Sequence, residues 1–219
     1  MSLLNRRPAS IGRAQRSLRD DRCFVVAAED TDAPEQYFEA LSFHRVKVVV
    51  LPTPRNSGLS APGHVVERLK TAFELFKEKS EVQDGDEFWV FLDTDHHVRG
   101  THLPGTLTAL RTASQVGFEV AFSNPCFELW LLLHHAEVAA GTVFSSCDEV
   151  GAKLREILGG YNKTAIKTGQ FAVGRIPDAI RRARLLESNP DDPQCVWPET
   201  TGTHVYRLLE RVLNSSLSR

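Results

Sequence analysis

Two aspartates separated by one residue, Asp93 and Asp95, directly follow an apolar run typical of a buried strand, residues 88–92. An earlier apolar run, residues 23–28, ends in the same way at Glu29. Carboxylate oxygens are the ligands that a hard cation such as Mg²⁺ requires. A bound divalent cation can polarise a phosphoryl oxygen and orient a water molecule. These residue types therefore indicate metal-dependent phosphate chemistry.

Each of the three acids has a candidate role in such a site. Side chains alternate with a period of two in an extended chain, so we predict that Asp93 and Asp95 face one ion as metal ligands. Two neighbouring carboxylates repel each other unless a cation or a proton lies between them. Glu29 is the candidate third ligand or general base. The structural alternative for Glu29 is a solvated acidic turn that caps the next helix.

Further candidates follow the fourth predicted strand. Ser123 and Asn124 are predicted to bind a substrate phosphate, although either residue type also caps helices. Glu128, about one turn into the next helix, is a candidate metal ligand, or an acid favoured by the helix dipole. Lys163 is the candidate cation for the phosphate. Three arginines, 181, 182 and 184, are predicted to point away from the core on a solvated helix face.

Histidines next to the aspartates leave a transition-metal site open as an alternative. His96 and His97 follow Asp95 directly, and imidazole suits zinc, iron, copper or nickel. Consecutive side chains point apart in an extended segment, so at most one of the two would join such a site.

Continuous apolar runs predict the strands that position these residues, and apolar residues at helical spacing predict the helices. Strands are predicted at 23–28, 46–51, 87–92 and 118–122. Helices are predicted at 34–41, 64–76, 104–116, 146–158, 177–188 and 202–214, with a loop that turns into a buried helix over 124–135. This order predicts an α/β fold, with a mainly parallel sheet flanked by helices and a helical C-terminal part from about residue 140. Parallel strands end at one edge of a sheet, so the strand-end acids can converge there.

Composition limits the class of protein. Hydrophobic residues make up 42% of the 219 residues, charged residues 25%, and the net charge is -2. A general duplex-binding surface is therefore disfavoured. Residues 1–22 are predicted to be a basic N-terminal arm and residues 23–219 one domain. No run of about 18 apolar residues occurs, so we predict a cytoplasmic protein without a membrane partner.

Cysteine spacing gives no sign of a disulfide framework or a zinc site. The four cysteines are widely spread and form no C-x-x-C pair. This usage is typical of a reducing cytoplasm.

Taken together, these residues resemble the RloB-like family, which is associated in bacteria with phage-defence loci. The resemblance covers roughly residues 22–213. It is carried by Glu29, the Tyr37-Phe38 pair, Trp89 with Asp93 and Asp95, the long run from Ser123 to His134, and weaker matches at Tyr161 to Lys163 and Pro198 to Val205. The chain departs from the family pattern at Asp30, Ala33 and Pro34, where Gly, Thr and Glu are usual.

The resemblance implies a Toprim-like fold, in which a strand-end glutamate and a D-x-D pair chelate Mg²⁺ (or Mn²⁺) and act on a phosphodiester. Carried over by position, these catalytic residues are Glu29, Asp93 and Asp95. It also implies a magnesium-dependent nuclease that acts on DNA or RNA in an anti-phage (abortive infection) system with an ABC/AAA-type ATPase partner. The chain has no G-x-x-x-x-G-K-[ST] loop, so it would not supply the ATPase activity itself.

Three other functions stay open on the sequence. A haloacid-dehalogenase-like phosphatase carries its D-x-D after the first strand, whereas here the pair follows the third predicted strand. A D-x-D glycosyltransferase expects a larger nucleotide-sugar domain than this chain readily supplies. A non-catalytic subunit would use the same acids only to bind a metal or the ATPase.

Overall fold

The computed structural model describes most of the chain in one sheet-and-helix unit. The described residues are 21–30, 32–53, 60–98, 100–139, 141–167, 169–187 and 196–217, with only the backbone described at positions 96 and 97. Nearly all of the predicted basic arm lies outside the described residues, as does Cys195.

The sheet has five strands in the order β2-β1-β3-β4-β5. Their bounds are β1 Arg22–Ala28, β2 Val46–Leu51, β3 Glu87–Asp93, β4 Glu119–Asn124 and β5 Gly202–Thr203. The first four strands are parallel to their neighbours, and β5 runs antiparallel to β4. The mainly parallel sheet predicted from the sequence is confirmed. Its likeness to the Toprim fold stays a prediction.

The helices follow the predicted pattern closely. Their bounds are α1 Asp32–Glu39, α2 Pro62–Glu78, α3 Thr94–His97, α4 Leu103–Val116, α5 Glu128–Leu133, α6 Cys147–Leu158, α7 Ile176–Leu186 and α8 Val205–Leu217, with short 3-10 turns at Gly100–His102 and Val173–Arg175. Local chemistry sets several ends. Pro62 suits the first turn of α2 because its missing N–H needs no partner there. Gly117 ends α4 with a φ of 85°, a conformation that favours glycine.

Helices cover both faces of the sheet and create two apolar cores. One core lies between the sheet and α2 and α4, and it contains Val25, Val90 and Phe122. The larger core lies on the opposite face, where α1 and α5 to α8 pack over Val26 and Phe91. Alternation along the strands sends successive side chains to opposite faces, so one apolar strand supplies both cores. The helical C-terminal part is therefore packed onto the sheet.

Helix α5 lies inside the larger core. Every residue from Glu128 to Leu133 is buried. Directly after it, the Tyr37 hydroxyl and the His134 Nε2 are 3.2 Å apart. Burial lowers the pKa of His134 to about 3, so this histidine is neutral at pH 7. A helix that is apolar on all sides must be enclosed by other elements, and here the sheet, α6 and α7 enclose it.

Two sequence predictions about the C-terminal part are wrong in detail. Arg182 does not simply face solvent, since its Nη1 donates to the Leu133 carbonyl at 2.7 Å and so satisfies the end of α5. The last helix does not begin at residue 202, because Gly202 and Thr203 pair with β4 as an edge strand. No helix within the described residues combines the length and the apolar character that crossing a bilayer would need.

Candidate acidic site at the sheet edge

Glu29 and Asp93 meet at the carboxyl edge of the sheet, as the strand order predicts. β1 and β3 are parallel neighbours with Ala28 opposite Phe91. The Glu29 N–H continues this ladder by donating to the Phe91 carbonyl at 3.2 Å. The Glu29 Oε2 then accepts the Asp93 N–H at 2.8 Å. The expected convergence of these two positions is confirmed, while their chemical role stays a prediction.

Asp95 reaches the site in a different way from the one predicted. The extended backbone ends at Asp93, and Thr94 begins the short helix α3. The argument from alternating side chains is therefore wrong for this pair. The Thr94 N–H donates to the Pro125 carbonyl at 3.3 Å, which holds the turn against the loop after β4. The Asp95 Oδ2 accepts the Cys147 thiol at 3.2 Å.

Glu128 completes a group that we call the acidic cluster, namely Glu29, Asp93, Asp95 and Glu128. Glu128 is 7% exposed, and burial raises the pKa of its carboxyl. Burial also raises the pKa of Asp93 well above its ordinary value, and the negative charges of the other three acids, with Cys147, raise it further. Like charges held together out of water disfavour ionisation. A bound cation would therefore stabilise the ionised form of these carboxyls.

The donor chemistry of the acidic cluster fits a hard divalent cation, although the side chains are not gathered around one point. Among the described residues, no three His, Cys, Asp or Glu side chains form a ready group that could hold a metal ion. The Glu29 carboxylate is turned to the Asp93 backbone N–H. Carboxylates without a shared cation repel each other and bind nearby donors instead. A cation would therefore have to draw these side chains together. The side chains of His96 and His97 lie outside the described part of the chain.

Lys163 lies beside the acidic cluster and is paired with Asp30. The Nζ–Oδ2 distance is 3.1 Å. Burial by itself would lower the pKa of Lys163, but Asp30 and Glu128 outweigh it and raise this pKa. The Gln36 side chain fixes the segment, since its Nε2 donates to the Lys163 carbonyl at 2.9 Å and its Oε1 accepts the Ile166 N–H at 2.7 Å. Asp30, at the position where the resemblance leads us to expect glycine, is thus the residue that binds Lys163.

Sequence reasoning missed Arg68, a second cation at the same edge. Its Nη2 donates to the carbonyl of Ala28 at 2.7 Å, one residue before Glu29. The side chain is half-buried on α2, and burial lowers the pKa of its guanidinium. A signal was present in the sequence, because Arg68 follows Val65 by three residues and so shares the inward face of the helix.

Ser123 and Asn124 make internal contacts. Ser123 is 2% exposed, and its Oγ lies 2.8 Å from the Thr203 Oγ1. The Asn124 Nδ2 donates to the Pro198 carbonyl at 2.9 Å. The two predicted phosphate binders thus fasten residues 198–203 to the end of β4, and a substrate-binding role for them stays a prediction.

The comparisons with known proteins identify a family. The family model described as RloB-like protein matches residues 24–212, most of the chain. Neither the curated proteins nor the solved structures contain a match.

Proposed function

The chain belongs to the RloB-like family, and from this membership together with the acidic cluster we propose that it is a metal-dependent nuclease. The proposal places it in a bacterial anti-phage (abortive infection) system, where it works in the cytoplasm with an ABC/AAA-type ATPase partner. The observation that carries the proposal is the meeting of Glu29 and Asp93 at the sheet edge, where the pKa of Asp93 is raised by burial and by three further acids.

Glu29, Asp93, Asp95 and Glu128 would hold Mg²⁺ (or Mn²⁺), because hard cations prefer carboxylate oxygens. When bound, the cation supplies Lewis-acid polarisation of a phosphoryl oxygen and a nucleophilic water. Glu29 is the candidate to accept a proton from that water if it is not itself a ligand. Lys163 and Arg68 lie at the same edge, and their positive charges would offset the charge that develops on the phosphate.

Cleavage assays with purified protein test this proposal. Plasmid, single-stranded DNA and tRNA are each incubated with Mg²⁺, Mn²⁺ or EDTA, with and without the ATPase partner. We expect cleavage of at least one substrate with Mg²⁺ or Mn²⁺ and none with EDTA. Equal cleavage in EDTA would refute metal dependence.

A non-catalytic metal-binding subunit is the second candidate. Two contacts favour it. The Glu29 carboxylate accepts a backbone N–H, and Lys163 forms an ion pair with Asp30 in place of a substrate phosphate. The absence of cleavage of all three substrates, even with the ATPase present, would support this second candidate.

Arg68→Met is expected to weaken substrate binding. A partly desolvated guanidinium at the edge of the site attracts phosphate without reading sequence, so the loss should raise KM about tenfold for every substrate. Steady-state kinetics measure this effect, and circular dichroism checks that the broken bond to Ala28 leaves the fold intact.

Arg111→Met is the matched control for this substitution. Arg111 is exposed on α4, and its replacement should leave KM unchanged. A folded Arg68→Met protein with the original KM would contradict a role in binding.

A further inference from the structure

Two arginines, one on α7 and one directly before it, meet the C-terminal end of α5. The Arg182 Nη1 donates to the Leu133 carbonyl at 2.7 Å, and the Arg175 Nη1 lies 3.5 Å from the His135 Nδ1. A guanidinium has only donors, so the imidazole nitrogen accepts this contact. Burial lowers the pKa of His135, and the charge of Arg175 lowers it further. Two positive charges therefore flank a histidine that itself stays neutral.

These two arginines differ from a neighbour on the same helix in having no acid as a partner. The Arg184 Nη2 lies 2.7 Å from the Glu210 Oε1. Within the part of the chain that the structure describes, neither Arg175 nor Arg182 forms an ion pair with an acid. The Arg182 Nε also has no hydrogen-bond partner among those residues. Positive charge at this end of α5 is therefore not neutralised by the protein itself.

The segment that joins the acidic cluster to this end of α5 is basic as well. Residues 157–177 contain Lys163, Lys167 and Arg175 and no Asp or Glu. Lys163 lies beside the acidic cluster, whereas Arg175 lies at the far end of α5. An anion that follows this segment away from the cluster therefore meets cations and no acid of the segment itself.

Ring contacts hold the segment along α5. The Phe171 ring centroid lies 5.6 Å from that of His134 and 5.3 Å from that of His135. The Gln170 side-chain oxygen accepts the Lys167 N–H at 3.2 Å, which places Lys167 in a turn directly before Phe171. Lys167 is exposed, and no acid among the described residues pairs with it. We call Lys167, Arg175 and Arg182 the cationic strip.

We propose that the cationic strip binds the phosphates of a nucleic-acid strand whose scissile phosphodiester lies at the acidic cluster. Seven positions separate Glu128 in the cluster from His135 beside the strip, a rise of about 10 Å at about 1.5 Å per helical residue. A strand advances about 3.4 Å per nucleotide along a duplex, so about three nucleotides span this distance. The position of the scissile bond rests on the proposed function, whereas binding by the strip does not.

The chemistry of the strip fits phosphate oxygens. A guanidinium presents a planar fork that matches two phosphate oxygens, and a lysine ammonium binds them as a point charge. Such contacts fix the position of a strand and do not read its sequence. The net charge of the chain is -2, so attraction for a polyanion depends on local groups of cations such as this one.

Binding without divalent cations tests the strip separately from cleavage. The full-length protein in EDTA is titrated into a labelled single strand of about twelve nucleotides, as DNA and as RNA, and anisotropy is recorded at several NaCl concentrations. The double variant Lys167→Met/Arg175→Met should bind about tenfold more weakly than wild type. Its plot of log affinity against log salt should become shallower by about 0.7 for each lost contact. Arg182 is left in place because its bond to Leu133 supports α5.

The double variant Lys153→Met/Arg184→Met is the matched control. It also removes one lysine and one arginine from the surface, but these two are paired with Glu156 and Glu210. Affinity and salt dependence should both stay at the wild-type values. Equal weakening in the two double variants would overturn the proposal, because it would show an effect of net charge alone. Wild-type affinity in the strip variant, or no binding by wild type, would overturn it too.

Inorganic phosphate distinguishes a strand from a free phosphate compound. The NMR signal of His135 is followed while either inorganic phosphate or the unlabelled strand is added. Several phosphates on one strand bind together, so the strand should shift this signal at a concentration at least about tenfold lower. Equal concentrations of the two would indicate an isolated phosphate site and would rule out the strand.

Cleavage assays separate this proposal from the proposed function. If wild type cleaves a substrate, the strip variant should raise KM about tenfold and leave kcat unchanged, because Lys167 and Arg175 lie away from the reacting atoms. An unchanged KM would refute the strip and leave the nuclease in place. If wild type cleaves nothing, the proposed function fails, and the difference in binding between the two double variants still decides on the strip.

Discussion

Asp93→Asn is expected to abolish cleavage while leaving the protein folded. The substitution keeps the size of the side chain but removes the charge at the centre of the acidic cluster, where three other acids surround it. A loss of at least about a thousandfold corresponds to ~4 kcal/mol of transition-state stabilisation. Initial rates with Mg²⁺ and with Mn²⁺ measure the effect. Retained cleavage in this variant would refute the proposed mechanism.

The same substitution should stabilise the protein when no divalent cation is present. The raised pKa of Asp93 means that folding disfavours the charged carboxylate, so its cost grows as the pH rises through the folded-state pKa. Below the pKa of the unfolded chain the carboxyl is neutral in both states, and the cost disappears. We therefore expect the Tm of Asp93→Asn in EDTA to exceed that of wild type at pH 8 by a few degrees, the change that about 1 kcal/mol makes. The difference should shrink on acidification.

Asp84→Asn is the matched control for both measurements. Asp84 is exposed in the turn that precedes β3, at the opposite end of the strand that carries Asp93. The control should preserve both the cleavage rate and the Tm. A lower Tm for Asp93→Asn at pH 8 would show that the charge does not destabilise the fold.

Leu131→Ala is expected to cause the largest loss of stability. Leu131 is fully buried in α5, within the core shared by the sheet, α6 and α7. Removing a buried leucine side chain costs about 2–5 kcal/mol, because apolar burial is lost and a cavity remains. Domains are stable by only about 5–15 kcal/mol, so the variant should unfold at markedly lower urea concentration.

Leu185→Ala is the control for this core substitution. Leu185 lies on α7 and is 67% exposed, so the same chemical change should alter the free energy of unfolding by less than about 0.5 kcal/mol. Similar losses for both variants would mean that α5 is not the packed centre that its burial indicates.

Local patterns in the sequence were enough to predict most of the elements. Apolar runs marked β1 to β4, and helical spacing marked α2, α4 and α6, because burial on a sheet or along one helix face imposes a fixed period. The convergence of Glu29 with Asp93 also followed, since parallel strands end at one edge. The family was recognisable from the long run between Ser123 and His134, and the family model confirms it.

Other features depended on contacts between distant segments. The strand β5 exists because residues 202 and 203 bond to the end of β4, some 80 positions earlier, and two residues carry no periodicity. Asp95 lies on a helical turn held by Pro125, and Ser123 is buried against Thr203. No local pattern could reveal these outcomes, since each partner comes from another part of the chain.

The amino-acid sequence alone determined the positions of β1 to β4, the edge at which Glu29 and Asp93 meet and the family. The tertiary structure decided which groups lie at that edge beside the acids, namely Arg68 on the Ala28 carbonyl, Lys163 on Asp30 and the Cys147 thiol on Asp95. The physical reason is the separation along the chain of the residues that interact. Periodicity reports how one segment meets an apolar surface, whereas hydrogen bonds and charge pairs depend on which segments packing brings within a few ångströms.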